Sequence, residues 1–184
     1  AKVLINSNAN VFAFDDLKEK PTTLPKSNWI HYQKWPWLKL YALVVSPGIP
    51  INKNIKHKAI QLALDHNVKI INDIDLFVET KPKAKIVGIT GTNGKSSTAT
   101  MLYEILKSEG RDVRLGGNIG IPILSLEPGT NETIYIVEIS SFQIELTENI
   151  KPEIAVLLNI SEDHHDRHSS IKEYRDCLLY TSPS

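Results

Sequence analysis

The stretch from Ile86 to Ser97 constrains the fold of this chain more than any other. Ile86-Val87-Gly88-Ile89 is a short apolar run of the kind found in buried strands. A glycine-rich turn follows, and Lys95 then begins a segment with helical periodicity in which Ala99, Leu102, Ile105 and Leu106 share one face. This order of strand, glycine loop, Lys-Ser and helix predicts a phosphate cradle, because backbone N–H groups converge on phosphate oxygens at a helix N-terminus.

The candidate nucleotide-binding residues are the loop and the start of the helix: Gly91, Thr92, Asn93, Gly94, Lys95, Ser96 and Ser97. In such loops the lysine reaches the outer phosphates and the following hydroxyl binds Mg²⁺. The stretch departs from the G-x-x-x-x-G-K-[ST] pattern, because Ile89 stands where that pattern requires glycine. The alternative is an ordinary strand-to-helix turn whose lysine is solvated.

Composition excludes several classes of protein. The 184 residues allow one domain, or two that are small or incomplete. Lys and Arg total 21 and Asp and Glu total 21, so the balanced charge gives no electrostatic case for nucleic acid or an anionic membrane as main partner. A single cysteine suits a reducing compartment, and no apolar run is long enough to span a bilayer. The N-terminus also lacks the plan of a signal peptide. We expect a cytoplasmic protein.

Strands alternate with helices on both sides of the polar, turn-prone segment Thr80–Lys83. This alternation predicts an α/β fold with mainly parallel sheets in both halves. We expect a partial Rossmann-like domain over 1–80, a partial P-loop domain over 81–176 and an unrelated tail over 177–184. In the first domain, Val11–Phe14 is predicted to be a buried strand and Asp73 to cap a short helix. Trp29, Trp35 and Trp37 lie among lysines, and packing is a commoner role for them than binding single-stranded nucleic acid.

Two later predicted strands carry or lead into carboxylate and histidine residues that could bind a metal ion or phosphate. The apolar run Thr133–Ser141 carries Glu138, whose burial is costly without a cation or hydrogen-bond donors. Magnesium is the partner expected beside a phosphate loop, and a salt bridge to a neighbouring lysine is the alternative. The predicted buried strand Ile154–Ile160 leads into an acid- and histidine-rich run that contains His164. That run is a candidate for metal or phosphate chemistry, or a solvated loop, and no zinc pattern accompanies it.

Six blocks of the chain together resemble the Mur ligases, the ATP-dependent amide ligases of bacterial cell-wall precursor synthesis. They are Ser46–Ile49, Asp73–Phe77, Gly91–Ser97, Gly117–Pro122, Glu138–Gln143 and Asn159–Arg167. The family uses the shortened Gly-Thr-Asn-Gly-Lys-Ser loop. The first two blocks favour the branch of the family that adds D-glutamate to UDP-N-acetylmuramoyl-L-alanine. The resemblance therefore implies ATP and Mg²⁺ as cofactors, these two substrates as partners and a monomeric enzyme.

The resemblance also implies roles for individual residues. ATP would phosphorylate the substrate carboxylate, and the amine of D-glutamate would attack the acyl phosphate. Lys95, Glu138 and His164 would be catalytic, with Ser96, Glu138 and His164 as magnesium ligands. The residues implied for substrate binding are Asn118, Ser140 and Gln143 for the muramoyl-alanine portion, and Asp15, Ser46, Pro47 and Gly48 for the uridine diphosphate.

The chain also departs from the family. The first strand and the uridine-binding loop are expected before Ala1, and a carbamylated lysine is expected near Leu178. We therefore expect a fragment that is inactive alone. The alternatives are a non-catalytic nucleotide-binding module, another Mur or folylpolyglutamate-type ligase, and a generic P-loop kinase or GTPase. The last leaves the Glu138 block and the acid-histidine run unexplained.

Overall fold

A computed structural model describes residues 1–16, 19–49, 57–80, 83–147, 150–161 and 171–179. Contacts divide the chain into two compact units, Ala1–Leu43 with Ile51–Ile70, and Val44–Pro50 with Ile71–Ser184. The domain boundary expected at Thr80–Lys83 stays a prediction. In the ranges that the structure describes, no helix is long and apolar enough to cross a membrane.

The first unit is built from short helices and aromatic contacts. Helix α1 spans Lys2–Asn6 and α2 spans Lys58–Asp65, and single turns of 3₁₀ helix lie at Lys26–Asn28, Tyr32–Lys34 and Trp37–Lys39. The tryptophans pack inside the unit, as expected. The Trp35 indole donates to the carbonyl of Ile30 at 2.7 Å, and the Trp37 indole donates to that of Tyr32 at 3.0 Å.

The predicted strand Val11–Phe14 is wrong. Backbone pairing there is limited to one isolated parallel bridge between Ala13 and Trp29. Phe14 packs its ring against Trp29 and Tyr32, with centroids 5.9 and 5.6 Å apart. Packing of one aromatic residue thus replaces a strand ladder, a tertiary effect that overrides local strand propensity.

Strands β1, Ala42–Val44, and β2, Lys69–Ile71, form a two-stranded sheet, and helix α3 follows over Asp73–Glu79. The predicted cap of this helix is corrected by one residue. The Asn72 side chain accepts from the N–H of Asp75, and the Asp75 side chain accepts from the N–H of Asn72. This reciprocal capping box satisfies two donors at once, which Asp73 cannot do from inside the first turn.

The second unit contains a four-stranded parallel sheet in the order β4-β5-β3-β6. The strands are β3, Lys85–Thr90; β4, Val113–Gly117; β5, Ile134–Glu138; and β6, Ile154–Leu157. This parallel pairing confirms the predicted α/β class. The prediction of a buried strand over Ile154–Ile160 is wrong in length and burial, because β6 lies at the sheet edge and Ile154 is 56% exposed.

Three α-helices follow α3 in the second unit: α4, Lys95–Ser108; α5, Ser141–Ile144; and α6, Ile171–Leu179. Helix α4 packs Ala99 against the sheet, with Leu102 and Leu106 beside it. Ile105 is 53% exposed and does not share that face. On α6, Tyr174 and Leu178 are buried in the main core with Ile74, Phe77, Ile86, Ile123, Tyr135, Val137 and Ile139. Residues 177–179 of the expected tail therefore continue a packed helix.

Candidate phosphate-binding site

The loop between β3 and α4 has the backbone geometry of an anion site. Gly91 and Gly94 have φ of 138° and 81°, a region that favours glycine. A Cβ on Gly91 would also lie 3.1 Å from the carbonyl oxygen of Asn159. Gly94 is the N-cap of α4, and among the described residues no side chain caps that helix. The first-turn N–H groups are therefore open to an anion, which the helix dipole also favours.

Lys95 folds back over the loop. Its Nζ donates to the carbonyls of Gly91 and Thr92 at 2.7 and 2.8 Å. Both acceptors are neutral, so among the described residues no carboxylate compensates the positive charge of the ammonium group. A lysine ammonium that lies over a glycine loop at a helix N-terminus is the arrangement that reaches the outer phosphates of a nucleotide.

Glu138 lies at the end of β5, in register with Ile89 of β3 and Gly117 of β4. It is 2% exposed. One carboxylate oxygen accepts from the Ser96 hydroxyl at 2.8 Å, and the other accepts from the Asn118 side-chain amide at 3.0 Å. Both donors are neutral, and among the described residues no lysine forms the salt bridge to Glu138 that was the alternative. A buried carboxylate satisfied only by neutral donors still attracts a cation.

At Gly117, the backbone of β4 lies unusually close to the backbone of Glu138 on β5. Sequence patterns alone did not reveal this close approach. Gly117 has a φ of 110°, and a Cβ on it would lie 2.3 Å from the Glu138 carbonyl oxygen. That same carbonyl accepts from the Asn118 N–H at 2.9 Å. Only glycine fits at position 117, and its lack of a side chain brings Asn118 within reach of the carboxylate.

The donor set suits magnesium. A serine hydroxyl and a carboxylate are hard oxygen ligands, and Mg²⁺ is commonly held by one or two such groups together with phosphate oxygens and water. Within the ranges the structure covers, no group of three or more His, Cys, Asp or Glu could hold a metal ion. Nucleotide oxygens and water would therefore complete the coordination. The predicted ligand His164 lies outside the described residues.

Ser140 and Gln143 hold each other at the start of α5. The Ser140 hydroxyl accepts from the Gln143 N–H at 3.3 Å, and the Gln143 side-chain oxygen accepts from the Ser140 N–H at 3.1 Å. The Gln143 amide also donates to Asp73 at 3.2 Å. Gln143 is 2% exposed, so its amide is held in one orientation. Their roles towards a substrate stay predictions.

The remaining predicted residues lie away from the loop in sequence. Ser46, Pro47 and Gly48 form a turn after β1, closed by the Ile49 N–H on the Ser46 carbonyl at 3.0 Å. Asp15 is half-buried and belongs to the first unit. The structure thus brings Ser96, Asn118 and Glu138 into direct contact beside Lys95, and the roles of Asp15 and the turn stay predictions.

Two contacts of the loop were not predicted. Thr92 is buried, and its hydroxyl lies 3.2 Å from the Tyr174 hydroxyl on α6. Asn159 bonds to both Thr92 and Asn93. Asn159 belonged to a motif block, but no periodicity in the sequence indicates that the residue after β6 folds against the loop.

The structure combines a glycine loop, a lysine over it and a buried carboxylate at the carboxyl ends of parallel strands. This combination is typical of phosphate-binding α/β domains. Residues 89–179 match the family described as Mur ligase middle domain. The chain belongs to the Mur ligase family.

Two curated relatives are both named "UDP-N-acetylmuramoylalanine--D-glutamate ligase". The one from Wolbachia pipientis wMel is 43% identical over 176 residues, which is 93% of this chain and 34% of that protein. The one from Wolbachia sp. subsp. Brugia malayi is 40% identical and aligns with 94% of this chain and 44% of that protein. The chain therefore spans between about a third and less than half of the length of these relatives.

A solved structure shows the same fold at low identity. It is the UDP-N-acetylmuramate:L-alanyl-gamma-D-glutamyl-meso-diaminopimelate ligase from Neisseria meningitides. The TM-score is 0.59 at 18% identity, covering 98% of this chain and 63% of that one.

Proposed function

We propose that this chain is part of an ATP-dependent amide ligase that adds D-glutamate to UDP-N-acetylmuramoyl-L-alanine in peptidoglycan precursor synthesis. The observation that carries the proposal is the placement of Lys95 over a glycine loop beside the contact between Ser96 and buried Glu138. The names of the curated relatives support the choice of substrates. We also propose a bacterial cytoplasmic location and a monomeric enzyme.

The residues of the loop would bind and orient the nucleotide. The first-turn N–H groups of α4 and the Lys95 ammonium would hold the outer phosphates, so that the terminal phosphoryl group faces the substrate carboxylate. Ser96 and Glu138 would hold magnesium, which when bound neutralises charge on the transferring phosphoryl group. Asn118 donates to Glu138 and fixes the direction of its carboxylate. His164 is kept as a further proposed ligand.

Substrate contacts are the finer part of the proposal. Asn118, Ser140 and Gln143 are proposed for the muramoyl-alanine portion. The mutual hydrogen bonds of Ser140 and Gln143 would fix the start of α5 beside that portion. Asp15 and the Ser46-Pro47-Gly48 turn are proposed for the uridine diphosphate.

A nucleotide-binding module without ligase chemistry is the second candidate. The observation in its favour is Leu178, which is 1% exposed in the main core where the resemblance places a carbamylated lysine. A buried leucine supplies neither charge nor a metal ligand. Magnesium-dependent ATP binding without turnover by the protein that carries this chain would favour the module.

The proposal is tested first at the nucleotide site. Lys95→Ala is expected to weaken MgATP binding on the order of a hundredfold, because a charge-assisted contact to phosphate is lost. Isothermal titration calorimetry measures this loss. Lys85→Ala, an exposed lysine at the opposite end of β3, is the matched control and should bind as the unaltered chain does. Equal affinities for all three proteins would refute the phosphate site.

The substrates are tested by turnover in the protein that carries this chain. Incubated with ATP, D-glutamate and UDP-N-acetylmuramoyl-L-alanine, it should release ADP and phosphate and form the amide. Homologues of the nucleotide substrate with longer peptides should compete poorly. Turnover with another amino acid in preference to D-glutamate would contradict the choice of branch. The 184-residue chain alone should show no turnover.

A further inference from the structure

Asn159 ties the residues after β6 to the phosphate loop. Its side-chain amide nitrogen donates to the Asn93 carbonyl at 2.9 Å, and its side-chain oxygen accepts from the Asn93 N–H at 2.9 Å. Its own carbonyl accepts from the Thr92 N–H at 3.0 Å. Gly91 packs so closely that a Cβ there would lie 3.2 Å from the Asn159 nitrogen. Three hydrogen bonds and one close backbone approach therefore converge on this residue.

These bonds decide which N–H groups of the loop remain for an anion. The N–H groups of Thr92 and Asn93 are both bonded to Asn159. The N–H groups in the first turn of α4 follow Gly94, where among the described residues no side-chain cap is present. An incoming phosphate is therefore directed to the helix start, under the Lys95 ammonium, and away from the earlier part of the loop.

We infer that Asn159 is a positioning residue for the nucleotide phosphates, holding the loop in its binding shape before the nucleotide arrives. The inference rests on the proposed function. A primary amide is needed, because it donates and accepts at once, whereas an aspartate of the same shape cannot donate. Ordering the loop in advance raises affinity, since binding then costs less conformational entropy.

The chemistry at position 159 gives a graded test. Asn159→Ala removes both side-chain bonds, and Asn159→Asp keeps the shape but removes the donor and adds negative charge beside the phosphates. Asn131→Ala is the matched control, an exposed asparagine in the turn before β5 at the other end of the sheet. Each variant of the 184-residue chain is titrated with MgATP, melted thermally, and followed by hydrogen exchange of its loop amides without nucleotide.

We expect Asn159→Ala to weaken MgATP binding about tenfold. Asn159→Asp should weaken it at least as much, and Asn131→Ala should leave it unchanged. The Asn93 amide should exchange faster in both position-159 variants, while core amides of β3 and β5 keep their exchange rates. That local acceleration separates loop positioning from a general loss of stability.

Wild-type exchange at Asn93 in Asn159→Ala would overturn the inference. So would wild-type affinity in that variant, or an affinity loss explained by its unfolded fraction. If the unaltered chain binds no MgATP, the proposed function fails instead. The exchange rates then still decide whether Asn159 holds the loop.

Discussion

Two carboxylates lie at opposite ends of strands β4 and β5, and they are satisfied in different ways. Glu138, at the carboxyl end of β5, is 2% exposed and accepts from Ser96 and Asn118. Asp112, just before β4, has a side chain that is 40% exposed and pairs with Arg114. Thr133, just before β5, also donates to Asp112. In the part of the chain that the structure describes, Glu138 has two neutral donors, whereas Asp112 has a guanidinium beside it.

This difference indicates that Asp112 and its partners stabilise the fold. The Thr133 hydroxyl and the Arg114 guanidinium hold the pKa of the Asp112 carboxyl below its ordinary value, so this charge is compensated within the chain. The more deeply buried Glu138 has no cation among its recorded partners in the described residues. Its charge is left for a ligand to compensate. The same sheet therefore carries a stabilising pair at one end and the proposed binding site at the other.

The largest expected difference between the two ends of the sheet is in magnesium-dependent ATP affinity when each carboxylate is replaced by its neutral amide. Glu138→Gln is expected to reduce the magnesium-dependent part of ATP affinity on the order of a hundredfold, because a buried charge for the cation is lost. Asp112→Asn should leave that affinity unchanged. Titrations with and without magnesium measure both. If ATP binding by Glu138→Gln kept its full magnesium dependence, Glu138 would not be the residue that holds the cation.

Thr133→Val should be the next largest change, and it affects stability alone. Thr133 is fully buried, donates to Asp112 and accepts from the Thr130 N–H at 2.8 Å. Valine removes the hydrogen bond to the charged Asp112 together with the bond from Thr130, which costs about 2 kcal/mol of unfolding free energy. Urea unfolding measures the loss, and Thr100→Val on the exposed side of α4 is the control. A change in ATP affinity would show that the two ends are coupled.

Removing the hydroxyl of Ser96 should have a smaller effect at the binding end. Ser96→Ala is expected to weaken magnesium-dependent ATP binding about tenfold, since one oxygen ligand is lost. Thr100→Ala removes an exposed hydroxyl further along α4, outside the candidate site, and serves as control. Comparable losses in the two variants, measured by calorimetry, would contradict a specific role for Ser96.

The smallest expected effect is in the pH dependence of stability. The pKa of Asp112 is lowered in the folded state, so its stabilisation is complete above the ordinary aspartate pKa of about 3.9. It is lost as the pH falls through the lower, folded value. When the midpoint of urea unfolding is plotted against pH, Asp112→Asn should therefore show a smaller fall at acid pH than the unaltered chain. If the variant showed the same acid limb as the unaltered chain, Asp112 would not contribute to stability through its lowered pKa.

The sequence predicted those elements that depend on apolar runs and glycines within a few neighbouring residues. The strand, loop and helix around Lys95 appear where apolar runs and glycines indicate them, and so does the strand that ends at Glu138. The strand expected at Val11–Phe14 was not found, because aromatic contacts outweigh local strand propensity there. The cap at Asn72 was missed, because Asp73 has the same capping chemistry one residue later.

The amino-acid sequence by itself determined the glycine loop before Lys95, the alternation of strands and helices, and the family. The tertiary structure alone decided that Ser96 and Asn118 donate to Glu138, that β6 is an edge strand of the described sheet, and that Asn159 bonds to Asn93. The physical reason is the range of the contacts. Periodicity and turn chemistry act over a few neighbouring residues, whereas these pairs lie far apart in the chain and meet only through strand order and register.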